Sequence, residues 1–315
     1  MRLITLIPAN TKIDFMSFRK VAIVLSLALC VASVGLFFVK GLNYGIDFRG
    51  GILMEIRTPE PANISQLRDT LGTLGLGEVQ LQEFGRDTDV LIRIERQQGD
   101  ESAQLAAVAV AKTALGDSVS YRRTEFVGPK VGSELIEAGI MAVLLAMGAM
   151  LVYIWFRFEW QFGVGAVAAL LHDVILTIGI FAALGLEFNL STVAAILTIA
   201  GYSINDTVVV YDRVRENLRK YKQMPLRELL NLSLNDTLSR TLLTSGTTLL
   251  ALLALYSFGG EVIRGFSFAM IWGIAVGTYS SIFIAAPLLI YMKLRRTGLI
   301  VGETDDEPSA QTPAG

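Results

Sequence analysis

Hydrophobic positions fall into two patterns along this chain. Six runs are apolar almost throughout, at roughly 21–39, 136–156, 163–184, 189–211, 241–258 and 265–291. Each reaches or approaches the roughly 20 residues that carry a helix across a bilayer. Between the first two runs the pattern changes. GILMEIRT, EVQLQEF, TDVLIRIE and VSYRRTEFV alternate apolar and polar residues, while ISQLRDTLGTL, with Ser65 near a helix start, and ESAQLAAVAVAKTAL are amphipathic. A repeat of two marks a half-buried strand and a repeat of 3.6 a helix, so the order reads βαββαβ, a small ferredoxin-like sandwich. The fold class predicted is a polytopic α-helical membrane protein with six transmembrane helices and an α+β ferredoxin-like domain between helices 1 and 2. Its divisions are an N-terminal segment at 1–20, helix 1 at 21–39, the sandwich at 40–135, and a five-helix bundle at 136–291 that includes a connecting loop at 212–240. A tail at 292–315 follows, whose acidic, Pro- and Ala-rich ETDDEPSAQTPAG predicts disorder.

Composition supports the membrane reading. Of 315 residues, 52% are hydrophobic and 18% charged, with a mean hydropathy of +0.52, too apolar for an ordinary soluble chain of this length. A net charge of −2 gives no overall basic field, so no nucleic-acid partner is expected. With one cysteine, Cys30, and one histidine, His172, neither an internal disulfide nor a Cys/His metal site is expected.

Lys and Arg concentrate on one side of the spans. Arg2, Lys12, Arg19 and Lys20 precede the first; Arg213, Arg215, Arg219, Lys220, Lys222 and Arg227 lie between the fourth and fifth; Lys293, Arg295 and Arg296 follow the sixth. The opposite connections, GLEFN and GGEVIR, are nearly free of positive charge. Both termini and the 212–240 segment are therefore predicted to face the cytoplasm and the sandwich the outside. The first apolar run is too long for a signal-peptide core, and LALC puts Leu29 where a lipoprotein cleavage box needs a small residue, so an uncleaved helix is expected.

Glycine-rich joints bracket the sandwich, GLNYGIDFRGG before it and FVGPKVGSEL after it. Gly45, Asp47, Gly50, Gly51, Gly128, Pro129 and Gly132 are the candidate hinge residues.

The candidate chemistry lies inside the spans. A carboxylate in hydrocarbon costs a few kcal/mol by about the measure of insertion scales, so it faces a bundle interior and often marks an ion path. Asp206 sits six residues before Asp212, about 9 Å inside the boundary at about 1.5 Å per residue. Arg240 opens the fifth span from the same side, and its long stem could bring the guanidinium to Asp206. Burial favours a protonated carboxyl and a nearby guanidinium an ionised one, so a change in their separation would switch proton affinity. Ser203 and Asn205 are polar neighbours on the same run. His172 and Asp173 sit near the middle of the third span; as adjacent helical residues they diverge by about 100° and are not expected to pair, though either could join a relay. Helix-to-helix hydrogen bonding accounts for His172 and Asp173 equally well, and a static helix contact is the alternative for Asp206. Gly273 and Gly277, with Thr278, Ser280 and Ser281, and Ser245 to Thr248 in the fifth run, read as helix packing. No GxGD surrounds Asp173 or Asp206, which disfavours an intramembrane aspartyl protease, and no GxxxxGK[ST] loop is present for ATP.

GIDFRGG, EFVGPKVGSEL, WFRFEW, LHDV, IAGYSINDTVVVYDRVREN, SRTLLTSGTT and GTYSSIFIAAP, in this order around six spans, resemble the SecF family, the smaller membrane subunits of the bacterial SecDF translocation complex. The resemblance covers nearly the whole chain. It implies half of a twelve-helix unit of the resistance-nodulation-division (RND) type, completed by SecD. It also implies work in the inner membrane beside the SecYEG channel and the SecA motor on unfolded preproteins, with protons as the coupling ion, no other cofactor and no covalent catalysis. The aspartate of SIND and the arginine opening RTL, here Asp206 and Arg240, would serve proton passage. Two other readings stay open: a proton-driven exporter of small molecules, whose relatives usually carry both halves on one chain, and a scaffold in which Asp206 is a static contact.

Overall fold

The structure, a computed structural model, describes residues 11–116, 118–127, 129–292 and 294. The tail predicted to be disordered and the hinge candidate Gly128 lie outside the described residues.

Along the chain the elements are α1 (Arg19–Lys40), β1 (Asn43–Tyr44), α2 (Ile46–Arg49), β2 (Gly51–Arg57), α3 (Ile64–Gly72), β3 (Val79–Phe84), β4 (Arg86–Ile94), α4 (Glu101–Leu115) and β5 (Ser120–Val127). The bundle follows with α5 (Pro129–Arg157), α6 (Trp160–Leu184), β6 (Glu187–Phe188), α7 (Leu190–Lys220), α8 (Leu226–Phe258) and α9 (Glu261–Ser280). A π-turn at Ser281–Ala285 and α10 (Ala286–Tyr291) complete the last span. Among the described residues six helical spans are long and apolar enough to cross a membrane, counting α9, the π-turn and α10 as one.

β2 to β5 form one antiparallel sheet in the order β3-β4-β2-β5, the order of a ferredoxin-like βαββαβ sandwich. Alternation decides which face is buried: Ile52, Met54 and Ile56 of central β2 are fully buried and meet Ala107, Ala111 and Leu115 of α4 and Leu71 of α3. Asn63, two residues before Ser65, caps α3, its Oδ1 accepting from Gln66 N at 3.1 Å.

The 212–240 segment is not a loop. α7 runs on to Lys220 and α8 begins at Leu226 behind the N-cap Pro225, leaving only 221–225 to connect them. Its high charge disguises an unbroken apolar stripe. Val214 and Leu218 on α7, and Leu229, Leu230, Leu234 and Leu238 on α8, keep helical spacing and are buried in the main bundle core.

The joint before the sandwich is bonded into the bundle. β1 pairs in parallel with β6, and Gly45 N donates to Phe188 O at 2.9 Å. A Cβ on Gly45 would stand 2.6 Å from Glu187 Oε1 and 3.2 Å from Asn189 Cβ, so a side chain here would displace Glu187. Gly51, at φ +119, would place a Cβ 2.7 Å from Ile94 O. Gly50 also has positive φ, and Gly132 passes close to Phe48 O. Pro129 is the first residue of α5, where a missing N–H removes no helical hydrogen bond. Asp47 Oδ2 accepts the backbone N–H of Leu190 at 2.8 Å, at the start of α7. Glu187 is half-buried and ion-paired with Arg93 of β4.

Candidate functional site: buried carboxylates between the helices

One face of α7 is buried along its length, through Ala195, Ile199, Ser203, Asp206, Thr207, Val210, Tyr211 and Val214. The stripe keeps the spacing of a core face but turns polar from Ser203 to Thr207, so the same packing that buries Ile199 carries a carboxylate inside. Asp206 is 8% exposed. Thr241 Oγ1 on α8 donates to its Oδ1 at 2.8 Å, and its Oδ2 is buried without a hydrogen-bond partner.

The direct Asp206–Arg240 pair anticipated from sequence is not formed. Arg240 is exposed and acts on Asp206 only by charge from a distance, without an ion pair; its neighbour Thr241 is the one that turns inward. Adjacent helical residues point about 100° apart, so when Thr241 faces α7 the base of Arg240 points away. Asn205 is likewise exposed, on the far side of α7 from the core. Ser203 is buried but serves a different carboxylate.

That carboxylate is Asp173 on α6, which has no exposed surface. Its Oδ2 accepts from Ser203 Oγ at 2.5 Å and from Ser280 Oγ at 2.8 Å. Its Oδ1 lies 2.9 Å from His172 Nδ1. The expectation that His172 and Asp173 would not pair is therefore corrected. Divergence of their Cβ directions does not stop an imidazole and a carboxylate from reaching toward each other across one residue. The His172 ring stacks on Tyr279 at 6.0 Å between centroids, and Tyr279 Oη accepts from Ser26 Oγ at 2.9 Å while donating to Ala22 O at 3.1 Å, which ties α1 to the cluster. His172 Nε2 is buried without a hydrogen-bond partner.

The two carboxylates are linked through the last span. Ser281, next to the Ser280 that serves Asp173, shares a hydrogen bond of 2.8 Å with Thr207, next to Asp206. Thr278 meets Ser245 of α8 at 2.9 Å. These side chains read from sequence as packing. Their one signal was polar residues on the buried side of apolar runs, which small-residue contacts produce equally well. Among the described residues no group of three or more His, Cys, Asp or Glu side chains is placed to hold a metal ion.

Residues 107–295 match the family "Protein export membrane protein SecD/SecF, C-terminal", and residues 35–58, which span the Gly50-Gly51 joint, match the "SecD/SecF GG Motif". Protein translocase subunit SecF of Rickettsia bellii (strain OSU 85-389) is 50% identical over 288 residues, 90% of this chain and 94% of that protein. Its counterpart in Rickettsia prowazekii (strain Madrid E) is 48% identical over 294 residues, 92% of this chain and 94% of that protein. The crystal structure of SecDF, a translocon-associated membrane protein from Thermus thermophilus, superposes with a TM-score of 0.83 at 38% identity, covering 92% of this chain; this chain spans 40% of that one. SecDF in its super-membrane-facing form superposes with a TM-score of 0.68. With a family match over more than half its length and SecF relatives that it spans almost end to end, this chain belongs to the SecF family of protein translocase subunits, membrane proteins of protein export.

Proposed function

We propose that this chain couples proton movement to preprotein translocation, as one half of a unit that SecD completes. The observation that carries the reading is Asp206: a carboxyl buried in a membrane-spanning helix, with one oxygen held by Thr241 and the other without a partner. An ionisable group in hydrocarbon is expensive, and one left half-satisfied can take up a proton without first breaking a salt bridge.

In this reading a swing of the long Arg240 side chain, with at most a small turn of α8, would bring its guanidinium to Asp206 beside Thr241. The carboxyl would meet a hydroxyl alone in one state and a guanidinium as well in the other, which favours the proton in the first and expels it in the second. One proton moved across about 100 mV supplies about 2.3 kcal/mol, enough to bias a two-state cycle by more than about tenfold.

The same helix offers the route outward. The first backbone N–H of α7 rests on Asp47, in the joint that leads into β2, and Glu187 pairs with Arg93 in the sheet. A shift of α7 therefore bears on the sandwich, which in this proposal lies outside the membrane and engages emerging preprotein, with both termini in the cytoplasm. SecYEG and SecA would supply the channel and the ATP-driven step, and the proton is the only small species the cycle requires.

The test is proton uptake by proteoliposomes containing this chain with its SecD, under an imposed gradient and read with an internal pH dye. Loss of uptake in Asp206→Asn at normal complex yield is expected. Unchanged uptake would make Asp206 a packing contact and leave a scaffold role.

A further inference from the structure

The sixth span is not a continuous α-helix, because a π-turn occupies Ser281–Ala285 directly after Ser280. A π-turn adds one residue to a helical turn, disturbs the regular ladder and shifts the register of all that follows.

α7 grips both ends of this turn. Tyr211 Oη donates to Ala285 O at 3.0 Å, and Thr207 Oγ1 meets Ser281 Oγ at 2.8 Å. Positions 207 and 211 are one helical turn apart on α7, as 281 and 285 are on the last span, so the contacts form two rungs. The upper rung is a built site. The Tyr211 side chain is fully buried, its ring packs edge-on to Phe162 at 5.0 Å between centroids, and Gly165 has no room for a Cβ, which would run into Tyr211 Oη and stand 3.2 Å from Ala285 O. A phenol wholly removed from water needs a hydrogen-bond partner, and here that partner is a carbonyl of the interrupted segment.

Two consecutive serines stand at the head of this turn, Ser280 as the last residue of α9 and Ser281 as the first of the turn. Ser280 reaches Asp173 itself, and Ser281 reaches Thr207, the residue next to Asp206. We infer that Thr207 and Tyr211 are positioning residues: their hydroxyls hold the two ends of the π-turn against α7, and with it the Ser280–Ser281 pair that stands between the Asp173 cluster and Asp206, so that a change at either carboxyl is felt at the other. This inference rests on the proton-coupled reading of Asp206.

The test uses the complex with SecD in liposomes, comparing gradient-driven proton uptake and complex yield for Tyr211→Phe, Thr207→Val, Thr207→Ser and Asp206→Asn. Phe keeps the ring, Val keeps the shape of Thr, and Ser keeps only the hydroxyl. Tyr211→Phe and Thr207→Val are expected to slow uptake about five- to tenfold, the effect of one buried hydrogen bond, at normal yield. Thr207→Ser should run near the unmodified rate, and Tyr211→Phe combined with Thr207→Val should be no slower than the slower single variant, because both act on one element. If Tyr211→Phe reduces yield, the Thr207 pair decides alone. Unmodified rates in both hydroxyl-deleted variants while Asp206→Asn abolishes uptake would overturn the inference, as would a Thr207→Ser rate as slow as that of Thr207→Val. Uptake that survives Asp206→Asn would instead overturn the underlying proton reading.

Discussion

Gly273 on α9 packs directly against Ile199 of α7. A Cβ there would lie 2.7 Å from Ile199 Cγ2 and closer still to Cγ1 and Cδ1. Ile199 is 1% exposed, and a β-branched side chain on a helix has essentially one χ1 rotamer, so it cannot swing aside. Gly273→Ala therefore sets two effects against each other. Alanine in a helix interior is better than glycine by about 1 kcal/mol. Overpacking of a close contact costs about 1–3 kcal/mol, and three sub-van der Waals contacts with an immobile partner put this case near the upper end. The net expectation is a loss of about 2 kcal/mol, read as a lower midpoint in unfolding of the purified chain in micelles. The decisive comparison is the same substitution beside Ile199→Ala. With the obstructing side chain gone, only the helix term remains and Gly273→Ala should become stabilising by up to about 1 kcal/mol. A raised midpoint in the unmodified background, or the same effect in both backgrounds, would refute the packing argument.

Asp47→Ala should cost about 1 kcal/mol of local stability at the start of α7, since it removes an acceptor from a helix N-terminus; faster amide exchange at Leu190 with little change deep in α8 is the expected sign. In the sandwich, the Arg57 guanidinium, bonded to both oxygens of Asp89 at 2.5 and 2.7 Å, holds that carboxyl below the usual carboxylate range. A group lowered on folding stabilises above its unfolded value of about 3.9, and that contribution disappears as pH falls through the folded value. Asp89→Asn should therefore lower the melting midpoint at pH 7 and weaken its further fall on acidification; an unchanged acid dependence would show that the pair is not responsible. Gly51→Ala should unfold the sandwich at lower denaturant, because it forces a Cβ at φ +119 against Ile94 O, and an unaltered midpoint would contradict that geometry.

The parts legible in the sequence are those governed by one local rule. Alternation in GILMEIRT exposed β2, and an aspartate in an otherwise apolar run exposed Asp206, because each departs from what its surroundings require. Segment 212–240 has the charge density of a loop, while Val214, Leu218, Leu230 and Leu234 continue the helical stripe that decides its structure. Arg240 and Thr241 show a different limit. Adjacent residues were both available to Asp206, and only the rotation of α8, set by packing along its length, decides which one faces it. The His172–Asp173 contact and the grip of Tyr211 on Ala285 were hidden for a third reason, since side-chain reach and a change of helical register leave no periodic trace.

The central claim is that Asp206 carries protons for export. The most direct measurement is secretion of a reporter preprotein in cells whose only copy of this chain is Asp206→Asn, with membrane abundance of the chain and of SecD quantified alongside. The account predicts lost export at normal abundance, with the residual export insensitive to collapse of the proton gradient. Export at the unmodified rate, still sensitive to the gradient, would contradict it.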